Sequence, residues 1–498
     1  MSAPERVVYL DYAATTPVDP VVSRVMGACL ELDGDFGNPA SVTHVFGARA
    51  AAHIDRARLQ VASLIGAEPE EIVFTSGATE SINLAILGVA RANAGRGRHI
   101  VTSRTEHKAV LDSCKQLQKE GFEVTYLTPD HDGMLTRQKV SDAIRDDTIL
   151  VSLMHANNEI GVMLDLAAVS GLCRDRGVLL HTDAAQSAGK VPLDASLADF
   201  VSFTAHKIYG PKGIGALYVK RSRRGYIEPL SFGGGHERGL RSGTLPTHQI
   251  VGFGEACTRI NDLQEEEQPR IAQLRDRLWD GIRDLGGVHF NGGEGRGESS
   301  GRGEASRLAG ILNVSFEGVE GESLVAALPQ LAVSTGSACN SASGDPSYVL
   351  RALGRDTELA QSSLRFSLGR FTTDEDVRIA VQAVREAVGR LRALAPWSGR
   401  PEGEVFGEAG GPGRETWVQF ALTVRDGIVK DARFKAYGCP HTLAVASWLN
   451  GQLPGRRREE LPPGAPSQWA GDLGVPVEKL GRLLVVEDAL RACLRQWP

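Results

Sequence analysis

Short apolar runs alternate with amphipathic segments through the first half of the chain, from about residue 45 to 220. Ile54, Ala57, Val61 and Leu64 recur at helical spacing. Strand-like runs follow at 71–75, 99–103, 148–154, 178–182, 200–204 and 214–219. Buried strands separated by helices are typical of an α/β fold whose mostly parallel sheet is covered on both faces. Ligands gather beyond the carboxyl ends of such strands, so we expect the functional residues there.

Two glycine-rich stretches interrupt this pattern in the second half. Residues 291–307 alternate Gly, Arg, Glu and Ser, which predicts a surface insertion because the segment cannot bury enough apolar area to order itself. A strand is predicted at Ile311–Phe316. Residues 401–413, rich in Gly and Pro, are interpreted as a linker between domains.

The last part of the chain predicts a small α+β domain at 414–498. Alternating positions predict strands at 417–424 and 428–437, and Asp426-Gly427 between them is a hairpin signal. Helices are expected to begin at Pro440 and near Val477.

Composition narrows the class of protein. The chain has 498 residues, more than one domain usually needs, and its net charge of -6 argues against general nucleic-acid binding. It lacks an apolar run long enough for a membrane span, and its first ten residues do not resemble a signal peptide. Seven dispersed cysteines without C-x-x-C spacing indicate a reducing cytoplasm and no zinc site. Four of them, Cys29, Cys173, Cys257 and Cys493, are predicted core residues.

Four features together predict a pyridoxal-phosphate site. The turn 75–79 joins a strand to a helix and offers backbone N–H groups to a phosphate. Asp183 ends a strand, where its carboxylate can hold a pyridinium nitrogen. Lys207 follows a buried strand, where a lowered pKa suits Schiff-base chemistry, and His107 is placed to stack on a planar ring. Each has a structural alternative on its own: a packing turn, a helix cap, a surface lysine and a structural histidine.

A series of motifs, several of which contain these residues, follows in order along residues 7 to about 395. They are 10–17 (LDYAATTP), 36–41 (FGNPAS), 74–80 (FTSGATE), 105–110 (TEHKAV), 157–161 (NNEIG), 206–213 (HKIYGPKG), 233–238 (GGGHER), 241–244 (RSGT) and 334–339 (STGSAC). This region resembles a cysteine desulfurase of the iron–sulfur cluster assembly type, in the class-V aminotransferase family. The resemblance implies the aspartate-aminotransferase-like fold (fold type I) at 1–400. Its large domain spans about 15–260, and its small domain combines the N-terminal segment with about 261–400.

The resemblance also implies a role for each site residue. Lys207 bonds to pyridoxal phosphate, Asp183 pairs with the pyridine nitrogen, His107 stacks on the ring and Gln186 contacts the phenolic oxygen. Asn158 lies beside the ring and the substrate, and Arg365 grips the substrate carboxylate. The phosphate is assigned to Ala78, Thr79, Thr204 and His206, and to Thr244 across a homodimer. Thr204-Ala205 departs from the family's common Ser-Gly but keeps the hydroxyl.

Cys339 is the predicted sulfur acceptor. It lies among small polar residues at 334–344, whereas an inert buried cysteine has apolar neighbours. Such weakly packed segments are suited to carry a reactive group between sites. The resemblance agrees, and it implies conversion of L-cysteine to L-alanine with a persulfide on Cys339. It implies no metal of the chain's own, although Cys339 could share a transient cluster with a scaffold partner.

Residues 414–498 resemble an iron–sulfur scaffold protein whose ligand set has degenerated. Cys439 remains, but Arg414 and Arg482 stand where two cysteines are expected, and Thr416 stands where an aspartate is expected. One thiolate cannot hold a cluster that needs about four such ligands. Two hypotheses stay open: Cys439 is a possible sulfur relay that takes persulfide from Cys339, or the domain serves packing and docking.

The expected partners are L-cysteine, a second copy of the chain, and scaffold or other sulfur-acceptor proteins, with no direct nucleic acid and no membrane. The expected role in the cytoplasm is sulfur supply for iron–sulfur cluster assembly, with tRNA thiolation as a further use. The alternatives are a selenocysteine lyase-like enzyme and an assembly platform with a minor catalytic role.

Overall fold

The computed structural model describes residues 6–293, 307–335, 346–411 and 414–497. After the short strand β1 (Val8–Tyr9), seven strands form one sheet in the order β2-β8-β7-β6-β5-β3-β4. They are β2 (Ile72–Thr75), β3 (His99–Ser103), β4 (Glu123–Leu127), β5 (Thr148–Ser152), β6 (Leu179–Asp183), β7 (Phe200–Thr204) and β8 (Gly215–Val219). Only β8 runs antiparallel to its neighbours. The predicted mostly parallel sheet is therefore confirmed.

Helices cover both faces of this sheet. They are α1 (Pro20–Gly27), α2 (Val45–Leu64), α3 (Ala78–Ala92), α4 (Lys108–Lys119), α5 (Arg137–Ala143) and α6 (Leu166–Arg176). The predicted apolar stripe of α2 is confirmed, since all four of its residues are buried. The sequence analysis did not identify β4, because this edge strand is half-exposed and carries Glu, Thr and Tyr.

The long helix α7 (Thr247–Ile282) leads from this large unit into a smaller one. Its elements are β9 (Val288–Phe290), β10 (Ile311–Phe316), α8 (Gly321–Ala326), β11 (Leu331–Ala332), β12 (Ser334–Thr335), α9 (Tyr348–Ala352), α10 (Thr357–Gln361), β13 (Ser363–Ser367) and α11 (Asp374–Leu394). An antiparallel sheet forms in the order β12-β13-β10-β9, and β1 pairs with β11. The N-terminal segment is thereby fastened to the small unit. The predicted insertion at 291–307 lies, for residues 294–306, outside the described residues.

The C-terminal unit has a separate core. Its elements are β14 (Val405–Gly410), β15 (Trp417–Arg425), β16 (Ile428–Tyr437), α12 (Pro440–Gln452), α13 (Pro466–Leu473) and α14 (Leu480–Arg495). The predicted hairpin is confirmed, with left-handed backbone at Asp426 (φ 54°) and Gly427 (φ 70°), as the turn between β15 and β16 requires. The helix predicted from Pro440 is also confirmed.

The linker prediction is wrong for residues 405–410. These residues form β14, an edge strand paired along its length with β15. A Cβ on Gly407 would come within 2.3 Å of Ala489 O and 2.4 Å of Cys493 N, so this glycine lets α14 pack closely on the strand. A glycine that the composition associates with flexibility here serves close packing.

Among the described helices, none is both long enough and apolar enough to cross a lipid bilayer.

Candidate active site

Four of the predicted functional residues follow neighbouring strands at one end of the large sheet. Asp183 is the last residue of β6, and Lys207 lies one 3-10 turn after β7. His107 precedes α4, and Asn158 comes after β5. Because β3, β5, β6 and β7 are parallel, their carboxyl ends meet at this edge.

The Lys207 side chain points toward the N-terminal segment. Its Nζ donates to the carbonyl oxygen of Ala13. The same carbonyl accepts from Gln186 Nε2 at 2.9 Å. Gln186 Oε1 in turn accepts from Lys190 Nζ at 3.4 Å. Ala13 O therefore joins the lysine and the glutamine to which the sequence analysis gave neighbouring substituents of the pyridoxal ring.

A small-residue cradle lies where the phosphate was expected. α3 begins at Ala78 after Gly77, whose φ of 152° and lack of a side-chain cap leave the helix N-terminus open. A Cβ on Gly215 would come within 2.7 Å of Gly77 Cα, so the backbones approach too closely for a larger residue. Thr79 is exposed, and an N-terminal helix turn with free backbone N–H groups suits an anion.

Positive side chains act on His206, another of the residues assigned to the phosphate. Burial and the charges of Lys207, Lys212 and Lys190 lower the pKa of His206 to about 4, so this ring is neutral near pH 7. Thr204, on the adjacent strand end, is buried and donates to Ile214 O at 3.1 Å. A cluster of cations with a neutral imidazole beside it suits a phosphate dianion.

Asp183 and His107 interact electrostatically at this end of the sheet. Burial raises the pKa of Asp183, against the opposing influence of His107, the Ala185 N–H and Lys207. A buried carboxylate of this kind gains most from a cationic partner such as a protonated pyridine nitrogen. Burial also lowers the pKa of His107, whose Nδ1 accepts from Ala109 N–H at 3.1 Å. Its Nε2 is left to carry or exchange a proton.

Arg365 and Asn158 leave polar atoms open toward this end of the sheet. Arg365 is 4% exposed and donates through Nη1 to Asn158 O and through Nη2 to Asp11 Oδ1, both at 2.9 Å. Its Nε is buried and has no hydrogen-bond partner in the described part of the chain, and the same holds for Asn158 Oδ1. Unpaired buried polar atoms are costly, so this pair indicates a place where a polar ligand binds.

The sequence also predicts roles for Thr244 and Cys339. Thr244 is exposed in the loop before α7. Cys339 lies outside the described residues, although Thr335 before it and Ser347 after it are described.

Cys439 lies in the C-terminal unit and is fully buried at the N-cap of α12. Its Sγ is 3.5 Å from Thr442 Oγ1, and its thiol interacts with the guanidinium of Arg482. The residue before it is held by the small unit, because Ser323 Oγ donates to Gly438 O at 2.7 Å. The four cysteines predicted as core residues are confirmed as buried.

The sequence analysis gave no role to three residues that the structure places beside the site: Asp11, Glu159 and Lys190. Asp11 and Glu159 lie within the motifs 10–17 and 157–161, and Lys190 lies four residues after Gln186. Membership of these motifs was the sequence signal that could have identified Asp11 and Glu159 as site residues. Which members of a motif touch one another depends on tertiary contacts that spacing alone does not give.

Comparison with known proteins gives a consistent result. The family described as Aminotransferase class-V matches residues 8–379. The chain is 59% identical over 391 residues to "Cysteine desulfurase IscS" of Aeromonas hydrophila, which covers 78% of this chain and 94% of that protein. It is 58% identical over the same length, with the same coverage, to the protein of that name from Enterobacter sp. strain 638.

Solved structures agree in fold. The chain is 41% identical to DndA from Streptomyces lividans, with a TM-score of 0.60 over 72% of this chain and 99% of that one. It is 38% identical to SspA, solved in complex with cysteine, with a TM-score of 0.63 over 73% and 99%.

Proposed function

This chain belongs to the class-V aminotransferase family and is a cysteine desulfurase, and on that basis we propose which of its residues perform the reaction. Lys207 is the catalytic base, Arg365 binds the substrate carboxylate, and Cys339 accepts the sulfur of L-cysteine while L-alanine is released. The observation that carries the proposal is the open pair of buried polar atoms, Arg365 Nε and Asn158 Oδ1, at the sheet end that also holds Lys207 and Asp183.

Enzymes of this family depend on pyridoxal phosphate, and the described residues fit that group. Lys207 would bond to it, Asp183 would pair with its ring nitrogen, and Gln186 would meet its phenolic oxygen. His107 and Asn158 would flank the ring. The phosphate would lie among Ala78, Thr79, Thr204 and His206, where the close approach of Gly77 and Gly215 forms the cradle. When bound, pyridoxal phosphate supplies an electron sink that weakens the bond between the substrate's α-carbon and its hydrogen.

The chain's own residues position the substrate and move its protons. Arg365 binds the substrate carboxylate through its open Nε–H, which holds the α-carbon near Lys207 Nζ. Lys207 takes the α-proton. The thiolate of Cys339 then attacks the substrate sulfur: a sulfur–sulfur bond forms, the carbon–sulfur bond breaks, and its electron pair stays with the carbon. Protonation of that carbon completes alanine, and His107 Nε2 handles a proton in this step.

A second copy of the chain completes the assembly. Thr244, which is exposed, would contact the phosphate of the partner's cofactor in a homodimer. Three large apolar side chains, Leu32, Val42 and Phe232, are each more than 80% exposed, and a second copy would cover them. The enzyme acts in the cytoplasm and supplies sulfur for iron–sulfur cluster assembly, and tRNA thiolation proteins are further acceptors.

A Cys339→Ser variant tests the role of that thiol. It should keep the visible absorbance of the bound cofactor but release no sulfide from cysteine under reductant. Cys173→Ser, which changes a buried cysteine of α6, is the matched control and should keep normal turnover. Normal sulfide release by Cys339→Ser would overturn the assignment. Activity on selenocysteine alone would instead favour the selenocysteine lyase alternative.

The C-terminal unit is a scaffold-like domain that docks on the small unit of the enzyme. The buried hydrogen bond from Ser323 to Gly438 supports docking, as does the ion pair of Lys479 Nζ with Glu322 at 2.9 Å. Trp397 adds an apolar contact, with its ring 5.0 Å from that of Tyr437. The complete burial of Cys439 beside this interface fits a packing role.

Relay through Cys439 is the second candidate role for this unit. The observation that favours it is the Arg482 guanidinium, which interacts with the thiol and whose buried Nη1 has no hydrogen-bond partner among the residues that the structure describes. A nearby guanidinium stabilises a thiolate. Alkylation of the native enzyme followed by peptide mass mapping separates the two roles. Docking predicts that Cys439 stays unmodified at rest and during turnover, whereas modification that appears only during turnover supports the relay.

A further inference from the structure

Arg365 is held by hydrogen bonds that also reach the ends of the segment carrying Cys339. Its Nη2 donates to Asp11 Oδ1 at 2.9 Å, and the same oxygen accepts from Ser334 Oγ at 2.8 Å. Ser334 lies opposite Arg365 in the pairing of β12 with β13. One carboxylate, Asp11, is therefore already committed to the guanidinium before substrate arrives.

A second carboxyl group, which is buried, belongs to Glu159, the residue after another hydrogen-bond partner of Arg365. Arg365 Nη1 donates to the carbonyl of the preceding residue, Asn158, at 2.9 Å. Glu159 is 4% exposed, and its Oε2 accepts from Ser347 Oγ, the N-cap of α9. Its backbone is fixed as well, because its N–H donates to Asn157 Oδ1 and its carbonyl accepts from Asn313 Nδ2.

We propose that Glu159 is a positioning residue that takes up a proton when the substrate carboxylate binds Arg365. This rests on the proposed role of Arg365. Substrate binding would add a carboxyl group to a guanidinium that Asp11 already pairs and whose charge also acts on Glu159. Like charges inside a protein disfavour one another, so one of the three carboxyl groups gains by becoming neutral.

Glu159 is the group best placed to become neutral. Asp11 holds a direct ion pair, and the substrate carboxylate receives the open Nε–H, whereas Glu159 is bonded to a neutral serine hydroxyl. Burial raises the pKa of Glu159 to about 7, while the Ser347 hydrogen bond and the charge of Arg365 lower it. A group with that pKa exchanges its proton under ordinary assay conditions.

The groups facing Glu159 come from several elements. Arg365 on β13 is the charged group that acts on it, and Arg307 donates to the carbonyl of Ile160, the next residue. Ser347 at α9 and Asn313 on β10 are neutral polar neighbours. A negative ligand at Arg365 raises the pKa of Glu159 further, so binding is tighter at low pH and weakens as pH rises above about 7.

The test compares the holoenzyme with its Glu159→Gln variant, which keeps the size of the side chain and an acceptor for Ser347. The ratio of their KM values for L-cysteine, measured in parallel from about pH 6.5 to 8.5, removes the titration of the substrate and of other residues. We expect the wild-type KM to rise by roughly threefold or more relative to the variant over that range, with a limit of about tenfold per pH unit.

A direct readout does not depend on turnover. Calorimetry of L-alanine binding, near pH 7.5 in buffers of different ionisation enthalpy, should show greater proton uptake by wild type than by Glu159→Gln. Ser347→Ala removes the hydrogen bond that lowers the pKa of Glu159, so the rise in KM should move to higher pH. If Glu159→Gln does not fold, the shift of the KM profile in Ser347→Ala tests the role of Glu159 instead.

The outcomes separate this inference from the proposed function. Parallel KM profiles with equal proton uptake, while Arg365→Ala still raises KM, would overturn the role of Glu159 alone. An unchanged KM in Arg365→Ala would overturn the proposed role of Arg365, and the inference with it.

Discussion

The carboxyl end of the large sheet and the core of the C-terminal unit treat their reactive side chains in opposite ways. At the sheet end, Lys207 is half-buried, and two buried atoms, Arg365 Nε and Asn158 Oδ1, have no hydrogen-bond partner among the described residues. In the C-terminal unit, the Cys439 thiol is fully buried beside Thr442 and Arg482. The preceding residue, Gly438, is hydrogen-bonded to Ser323 of the small unit. Unpaired polar groups around an accessible side chain indicate chemistry on a ligand, whereas a sealed thiol indicates packing.

The largest effect that sharpens this contrast is expected from Lys207→Ala. Loss of the covalent link and of the base should lower desulfurase activity by at least about 10³-fold. The absorbance band of the lysine-bound cofactor should disappear at the same time. Lys190→Ala, which removes a nearby lysine bonded to Gln186, is the control and should keep the band. A Lys207→Ala variant that keeps the band and the activity would contradict the assignment of the reactive site to the carboxyl end of the large sheet.

Arg365→Ala should have the next largest effect. A charge-assisted hydrogen bond contributes about 1.5–3 kcal/mol, so kcat/KM should fall roughly 10- to 100-fold, mainly through KM. Arg365→Lys keeps the charge but not the planar fork and should recover part of the loss. Steady-state kinetics with L-cysteine measure both variants. An equal loss of kcat at constant KM would contradict a role in binding the carboxylate.

The fold was largely predictable from the sequence, and the strands that were not predicted have local causes. Buried strands such as Phe200–Thr204 give continuous apolar runs, so their positions were clear. The edge strand β4 gives a weak apolar pattern because its residues are half-exposed, and β14 lies in the Gly- and Pro-rich stretch 401–413, whose composition is typical of a linker. The positions of Lys207 and Asp183 followed from strand ends. The hydrogen-bond partners of Arg365 did not, because Asp11 and Asn158 come from segments far apart in the chain.

A smaller effect is expected at the docking surface of the C-terminal unit. Ser323→Ala removes the buried hydrogen bond to Gly438 and should lower the free energy of unfolding of that unit by about 1 kcal/mol. Desulfurase activity should stay unchanged. Denaturant titration of the full chain, followed by the fluorescence of Trp469 in the core of the unit, measures the change. A loss of activity that exceeds the loss of stability would show that docking supports catalysis.

The smallest effect on turnover is expected from Cys439→Ser. Because the thiol is sealed in the described structure, sulfide release under reductant should stay within about twofold of wild type. Cys493→Ser, which changes a buried cysteine of α14 in the same core, controls for loss of packing. A drop confined to Cys439→Ser would erase the contrast between the two regions and favour the relay.

Mapping the sulfur after a single turnover tests the central claim most directly. The holoenzyme is mixed with less than one equivalent of sulfur-labelled L-cysteine without reductant, quenched, and analysed by peptide mass spectrometry. We predict one alanine released for each labelled sulfur, with the label on Cys339 as a persulfide in both wild type and Cys439→Ser. Alanine formed without label on Cys339 would contradict the account.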